Sequence, residues 1–161
     1  ARVDAGPPQA DDALQALRRK YAGERVLVAE DNPINAEVAR SVLEDAGFVV
    51  DVAVDGVEAV TMTAERDYRI VLMDMQMPRM DGLEASREIR ERFPAELLPI
   101  IAMTANAFAE DKARCQAAGM NDFAGKPIDP ERLFGLLLNW LERSAGVTPT
   151  SRGPSMRPGA P

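Results

Sequence analysis

The sequence contains no histidine. That removes Ser-His-Asp and Cys-His catalysis, histidine-ligated zinc, and any phosphohistidine carried by this chain. A metal site here must be built from oxygens, which favours a hard cation. The single cysteine, Cys115, excludes an internal disulfide. It fits a reducing, cytoplasmic compartment and reads as a small buried apolar residue on a helix. No apolar run approaches the roughly 18–20 residues that span a bilayer, so no membrane contact is expected. No basic-then-apolar segment opens the chain, although its absence carries little weight in a sequence that starts at Ala1.

Positive charge is also scarce where it would matter for a nucleic acid. Residues 1–23 hold four basic and three acidic groups and residues 144–161 hold two and none, which leaves 13 and 23 in the body between, a net charge of −10. Such a body repels phosphate backbones, and nucleic-acid binding is not expected.

What is present suits one globular domain: 161 residues, 46% hydrophobic and 28% charged. Residues 1–23 read as a linker, with a short amphipathic helix from an N-cap at Asp11 to Ala22 carrying Leu14, Leu17 and Tyr21 on one side. Arg25–Ala29 is an apolar run, hence a strand, ended by Glu30-Asp31-Asn32. Asn32-Pro33 starts a helix that runs to about Ala46, with Ile34, Val38, Val42 and Leu43 on one face, and Gly47 stops it. Val49–Val54 alternates apolar and acidic residues, which suits a more exposed strand. Asp55-Gly56 reads as a turn before a helix over Val57–Glu65, and Asp81-Gly82 as a turn before a helix from Leu83 to about Arg92. Strands are expected at Ile70–Met73, at Pro99–Met103 (ending in Thr104) and, weakly, at Asn121–Gly125. A helix over Phe108–Ala118 lies before the last of these. Asp129-Pro130 opens a final helix with Leu133, Phe134, Leu137, Leu138 and Leu141 on a broad apolar face. The body is thus placed at residues 24–143, and the Gly-, Pro- and Ser-rich tail, residues 144–161, is expected to be disordered.

Five strand–helix units in strict alternation predict an α/β fold: a doubly wound, flavodoxin-like three-layer sandwich with a parallel sheet in the order 2-1-3-4-5. The segment Ile70-Val71-Leu72-Met73-Asp74 then runs a strand buried on both faces into one carboxylate. Taken alone, Asp74 also fits a cap of the following turn. Glu30 and Asp31 end the first strand, Thr104 the fourth, and Lys126 follows the fifth. In that strand order the first and third strands flank the switch point, so Asp31 and Asp74 come together there. Carboxylates so placed repel unless a cation intervenes, and Mg2+ with its retained waters suits two carboxylates and a phosphate. An ammonium and a hydroxyl are what a phosphoryl group needs on its other side.

These residues stand in Val26-Leu27-Val28-Ala29-Glu30-Asp31-Asn32-Pro33-Ile34-Asn35, Leu72-Met73-Asp74-Met75-Gln76-Met77-Pro78-Arg79-Met80-Asp81-Gly82, Pro99-Ile100-Ile101-Ala102-Met103-Thr104-Ala105-Asn106-Ala107 and Ala118-Gly119-Met120-Asn121-Asp122-Phe123-Ala124-Gly125-Lys126-Pro127. Over roughly residues 25–143 the chain resembles a response-regulator receiver domain, most closely the receivers of hybrid sensor histidine kinases. The resemblance implies that Asp74 is the phosphoacceptor, attacking a phosphohistidine on a partner. It implies that Asp31, Asp74 and the Gln76 backbone carbonyl hold Mg2+, with Glu30 reaching it through water. Thr104 resembles the switch hydroxyl and Lys126 the phosphate-contacting lysine. Phe123 stands where the family places a rotating aromatic, commonly Tyr, so a signal that needs a phenol oxygen is in doubt. Lys126-Pro127 resembles the family's cis peptide. Gln76 and Asn106 take the positions that tune dephosphorylation, and two amides there imply neither fast nor absent turnover.

The partners implied are a histidine kinase phosphohistidine domain and a histidine phosphotransfer protein, with Ile34 and Val38 as candidate docking residues. The expected arrangement is a monomeric C-terminal module of a hybrid kinase, whose parent chain could still be membrane-held. A free-standing regulator is the alternative, and a phosphorylation-independent binding module a further one that the complete set Asp31, Asp74, Thr104 and Lys126 argues against. An aspartyl phosphohydrolase needs a second carboxylate two residues on, where Gln76 stands. A flavin- or nucleotide-binding protein needs a glycine-rich loop after the first strand, where Glu30-Asp31-Asn32 stands.

Overall fold

The computed structural model describes residues 10–105 and 109–145. The strands are β1 (Arg25–Ala29), β2 (Val49–Ala53), β3 (Ile70–Asp74), β4 (Ile100–Thr104) and β5 (Asp122–Gly125). The helices among the described residues are α1 (Ala10–Tyr21), α2 (Pro33–Asp45), α3 (Gly56–Glu65), α4 (Gly82–Arg90), α5 (Ala109–Ala117) and α6 (Pro130–Ala145). All strand pairs are parallel, in the order β2-β1-β3-β4-β5. This is the doubly wound arrangement expected. None of the described helices is long and apolar enough to cross a membrane.

The central strands are continuous apolar runs because both of their faces are covered. Every residue of β3 and β4 is buried. Successive side chains point to opposite faces, which sorts the core into two layers. Val26, Val28, Ile70, Leu72, Ile101 and Met103 pack with residues of α1, α2 and α6. Leu27, Val71, Met73, Ile100 and Ala102 pack with residues of α3, α4 and α5, Cys115 among them. At the sheet edge, Asp51 of β2 is half-buried, accepting from Tyr68 Oη at 2.8 Å and pairing with Arg25 at 3.2 Å and Arg66 at 3.3 Å. Burial first, and then the Asp51 carboxylate, push the Tyr68 phenol well above its ordinary pKa.

Helix starts follow local chemistry. Asn32 Oδ1 accepts from Ile34 N at 2.9 Å and Asn35 N at 3.1 Å, with Pro33 at the first helical position. Asp55 and Asp81, expected as turn residues, are N-caps. Asp55 Oδ1 accepts from Glu58 N at 2.8 Å. Asp81 Oδ1 accepts from Glu84 N at 2.9 Å, and the Glu84 side chain returns to Asp81 N at 3.4 Å, a capping box. Helices α3 and α4 therefore begin at Gly56 and Gly82, one residue early. Glycine is required at both: a Cβ on Gly56 would strike the Met80 carbonyl oxygen, and one on Gly82 the Asp74 carbonyl oxygen.

Two expectations change in the first layer. The buried stripe of α2 is Ala36, Ala39 and Leu43, whereas Ile34 is 74% and Val38 46% exposed. The small alanines allow close approach to the sheet and turn the larger residues outward. The segment expected as a linker is also packed. α1 begins at Ala10, which places Asp11 inside the helix rather than ahead of it. It buries Ala13, Leu17 and Tyr21 in the same cluster as Leu137 and Leu141 of α6. Lys20 reaches Glu142 at 2.7 Å, and Arg18 Nε donates to the Asp45 carbonyl at 2.9 Å.

In the other layer the half-buried Arg90 ties neighbouring turns together. It donates to the carbonyls of Gly119 (2.7 Å), Phe93 (3.1 Å) and Leu98 (2.9 Å) and to Asn121 Oδ1 (2.6 Å). Burial brings its pKa down to about 10. The helix expected to reach Arg92 ends at Arg90, whose side chain is spent on satisfying the turns beyond it. Of the tail expected to be disordered from residue 144, Ser144 and Ala145 instead complete the last turn of α6, while residues 146–161, and the expected helix start at Phe108, lie outside the described residues.

Candidate functional site

Strand register builds the site. In the β1–β3 ladder Ala29 pairs with Met73, so the next residues, Glu30 and Asp74, emerge side by side. In the next ladders Asp74 pairs with Met103 and Thr104 with Gly125. Lys126 N then donates to the Thr104 carbonyl at 2.8 Å, which brings the lysine over the same strand ends. The peptide Lys126-Pro127 is cis.

The result is a polar cleft of about 830 Å³ lined by Glu30, Asp31, Asp74, Gln76, Thr104 and Lys126, with Asn35, Asp81 and Arg114 at its walls. Glu30 and Asp74 are buried and Asp31 is exposed, and carboxylate oxygens of the three lie within 4.8 Å of one another. Lys126 Nζ sits 3.1 Å from Glu30 Oε1 and 3.2 Å from Asp74 Oδ1. Glu30 Oε2 accepts from Asn32 N at 3.2 Å, and Asp74 Oδ1 from Gln76 N at 3.3 Å.

Burial, reinforced by Asp74, raises the pKa of Glu30. Burial alone would lower that of Lys126, but its bonds to Glu30 and Asp74 outweigh it, and the ammonium is held more firmly protonated. Glu30 Oε1 is buried and has no properly directed hydrogen-bond donor, only the ammonium beside it. A buried carboxylate oxygen short of donors, in a cluster of three carboxylates beside the Lys126 ammonium, fits a further, hard cation. The oxygen donor set, all carboxylate and carbonyl, suits Mg2+.

Thr104 is buried at the cleft floor. Phe123 is half-buried, with the Lys112 ammonium 4.9 Å from its ring centroid. Gln76 is exposed at the mouth, and Asn106 lies outside the described residues. The methionines of the third segment serve packing: Met73 and Met75 are buried, and Met77 and Met80 pack against the same cluster. Sequence reasoning missed Arg79. Its Nε and Nη2 both lie 2.7 Å from Asp55 Oδ2, across 24 residues of sequence. The only sequence signal was Asp55-Gly56, read as a turn.

Residues 26–137 match the family model described as the response regulator receiver domain. The chain belongs to that family. The receiver is 41% identical over 130 residues to the aerobic respiration control sensor protein ArcB of Escherichia coli K12, a match covering 80% of this chain and 17% of ArcB. Curated relatives such as this are far longer: the match spans 6% to 17% of the length of four of them. A solved receiver domain of the Pseudomonas aeruginosa sensor histidine kinase PA1611, with a magnesium ion coordinated in its active site cleft, shares 40% identity at a TM-score of 0.70, over 75% of this chain and 99% of that one. The receiver of Saccharomyces cerevisiae Ssk1, solved with the histidine phosphotransfer protein Ypd1, shares 30% identity at a TM-score of 0.70, over 77% and 92%.

Proposed function

We propose that this receiver takes a phosphoryl group from a phosphohistidine on a partner protein onto Asp74, as a module of a hybrid histidine kinase phosphorelay. The observation that carries the reading is the Lys126–Asp74 contact of 3.2 Å at the floor of an open cleft that also holds Glu30 and Asp31.

Asp31, Asp74 and the Gln76 carbonyl would hold Mg2+, with Glu30 behind them through water. Bound there, the ion supplies charge neutralisation for phosphoryl oxygens. The chain's own residues do the rest. Asp74 presents a carboxylate oxygen as nucleophile from a rigid strand end, a gain in orientation rather than in intrinsic reactivity. Lys126 leaves its carboxylate partners for the incoming phosphoryl oxygens, where its charge counts most. Thr104, one strand over, donates its hydroxyl to the phosphorylated Asp74. Phe123 turns with it, and the α5–β5–α6 face changes: a two-state element biased by one local group. Turnover is tuned from Gln76 and Asn106. The receiver thus catalyses its own phosphorylation and hydrolysis.

Ile34 and Val38 lie exposed on the helix that starts beside the cleft and would meet the helices of a histidine kinase or phosphotransfer partner. α1, held on the domain, suits a segment joining the receiver, residues 24–143, to a preceding domain, which favours the hybrid context over a free-standing regulator.

Incubation with a small phosphodonor and Mg2+ tests the reading. One added phosphoryl group on Asp74, absent in Asp74→Asn, is expected. No modification of the wild-type protein, with a control receiver labelled, would sink it.

A further inference from the structure

Arg79 is the one described residue other than glycine with a positive φ, +67°. It sits at the centre of a three-residue turn closed by Met80 N to the Pro78 carbonyl at 2.7 Å. An arginine gains nothing from that backbone region, which glycine or asparagine enters more cheaply. A non-glycine residue held there marks a place where the surroundings over-determine the chain.

Those surroundings are specific. The guanidinium closes two contacts of 2.7 Å onto one oxygen of Asp55. Asp55 is 4% exposed and its other oxygen is fixed by the α3 backbone, at Glu58 N. Next to it, Gly56 N donates to the Met80 carbonyl at 3.0 Å, at an approach no Cβ would permit. At its far end the loop is tied by Gly82 N to the Met75 carbonyl at 3.1 Å. The loop between Asp74 and α4 is therefore fastened to the start of α3, and that loop carries Gln76.

We propose that Arg79 and Asp55 are positioning residues for the metal-binding loop, holding the Gln76 main chain where it can complete the Mg2+ site. This rests on the reading of the cleft given above. The clamp acts on geometry more than on stability, since an ion pair whose arginine is largely exposed contributes little to folding. A backbone ligand cannot be re-aimed by a side-chain rotamer, so loss of the clamp must appear in metal affinity.

Calorimetric titration of Mg2+ into the metal-free protein tests this, with thermal melting alongside. Arg79→Gly removes the guanidinium and keeps the backbone conformation accessible. Asp55→Asn keeps an oxygen for Glu58 N and removes the ionic partner. Each is expected to weaken Mg2+ binding about tenfold, as loss of groups supporting metal ligands does. The double variant is expected to lose no more than either single one, and Arg79→Gly to keep its melting temperature. Unchanged affinity in the single variants, additive losses in the double one, or losses that only track a fall in melting temperature would overturn the proposal. A wild-type protein that takes up no Mg2+ would overturn it together with the cleft reading itself.

Discussion

Lys126 Nζ stands between Glu30 Oε1 and Asp74 Oδ1, 3.1 Å from one and 3.2 Å from the other. One ammonium thus offsets two buried carboxylates, and the same ammonium is the group best placed to receive a phosphoryl oxygen. Replacing Lys126 by Met is expected to slow phosphorylation from a small donor by about 10²- to 10³-fold, the usual cost of removing one stabilising donor from a reacting centre. Mg2+ binding should survive, because the carboxylates remain and lose a competitor. Rate measurements by intact-protein mass, with Mg2+ titrated in parallel, check both halves.

Asp55 gives a pH signature remote from the cleft. Its hydrogen bond from Glu58 N, and then its bonds from Arg79, hold its pKa below the usual carboxylate value. A depressed pKa contributes stability that is present above the unfolded value of about 3.9 and is lost as pH falls through the folded one. The melting-temperature gap between wild type and Asp55→Asn is expected to be full at pH 6 and to close only as pH falls below about 4, toward the folded value. A gap that stays constant over that range would count against the ionised Asp55 as the stabilising species.

Leu17 of α1 is fully buried against residues of α6 and the first strands. Leu17→Ala is expected to cost about 3 kcal/mol in urea unfolding. An unpacked linker residue would cost almost nothing, so the measurement separates a helix that belongs to the domain from one that merely precedes it.

Ile34, at 74% exposure, should behave in the opposite sense. Ile34→Ala is expected to change stability by less than about 0.5 kcal/mol. Labelling by a small phosphodonor should be unchanged, while transfer from a phosphohistidine-bearing partner slows. Equal transfer rates from the protein donor would remove this residue from the docking surface.

The strand ends were legible because a parallel sheet writes its core as apolar runs and its chemistry as the residues that stop them. Glu30, Asp31, Asp74 and Thr104 each follow or end such a run, and register brings them together; Lys126 follows the weaker β5 and is carried over the same strand ends by its bond to the Thr104 carbonyl. Helix faces were less legible. In α2 the alanines Ala36 and Ala39 are the buried residues, and a reading weighted by side-chain size chose Ile34 and Val38 instead. Asp55 and Asp81 looked like turn residues because a cap and a turn use the same local hydrogen bond. Arg79–Asp55 and the carbonyl cage around Arg90 left no local pattern at all. They join residues distant in sequence and became visible only once the fold was closed.

The seating of α1 has a mechanical consequence. Leu17 and Tyr21 share their cluster with Leu137 and Leu141, and Lys20 grips Glu142, so α1 and α6 share one interface rather than lying apart. Any rigid-body displacement of α6 must either drag α1 with it or pull Leu17 from its pocket. Either way the position of the last helix is transmitted to the first, so a partner that levers α6 also moves the opposite end of the described chain.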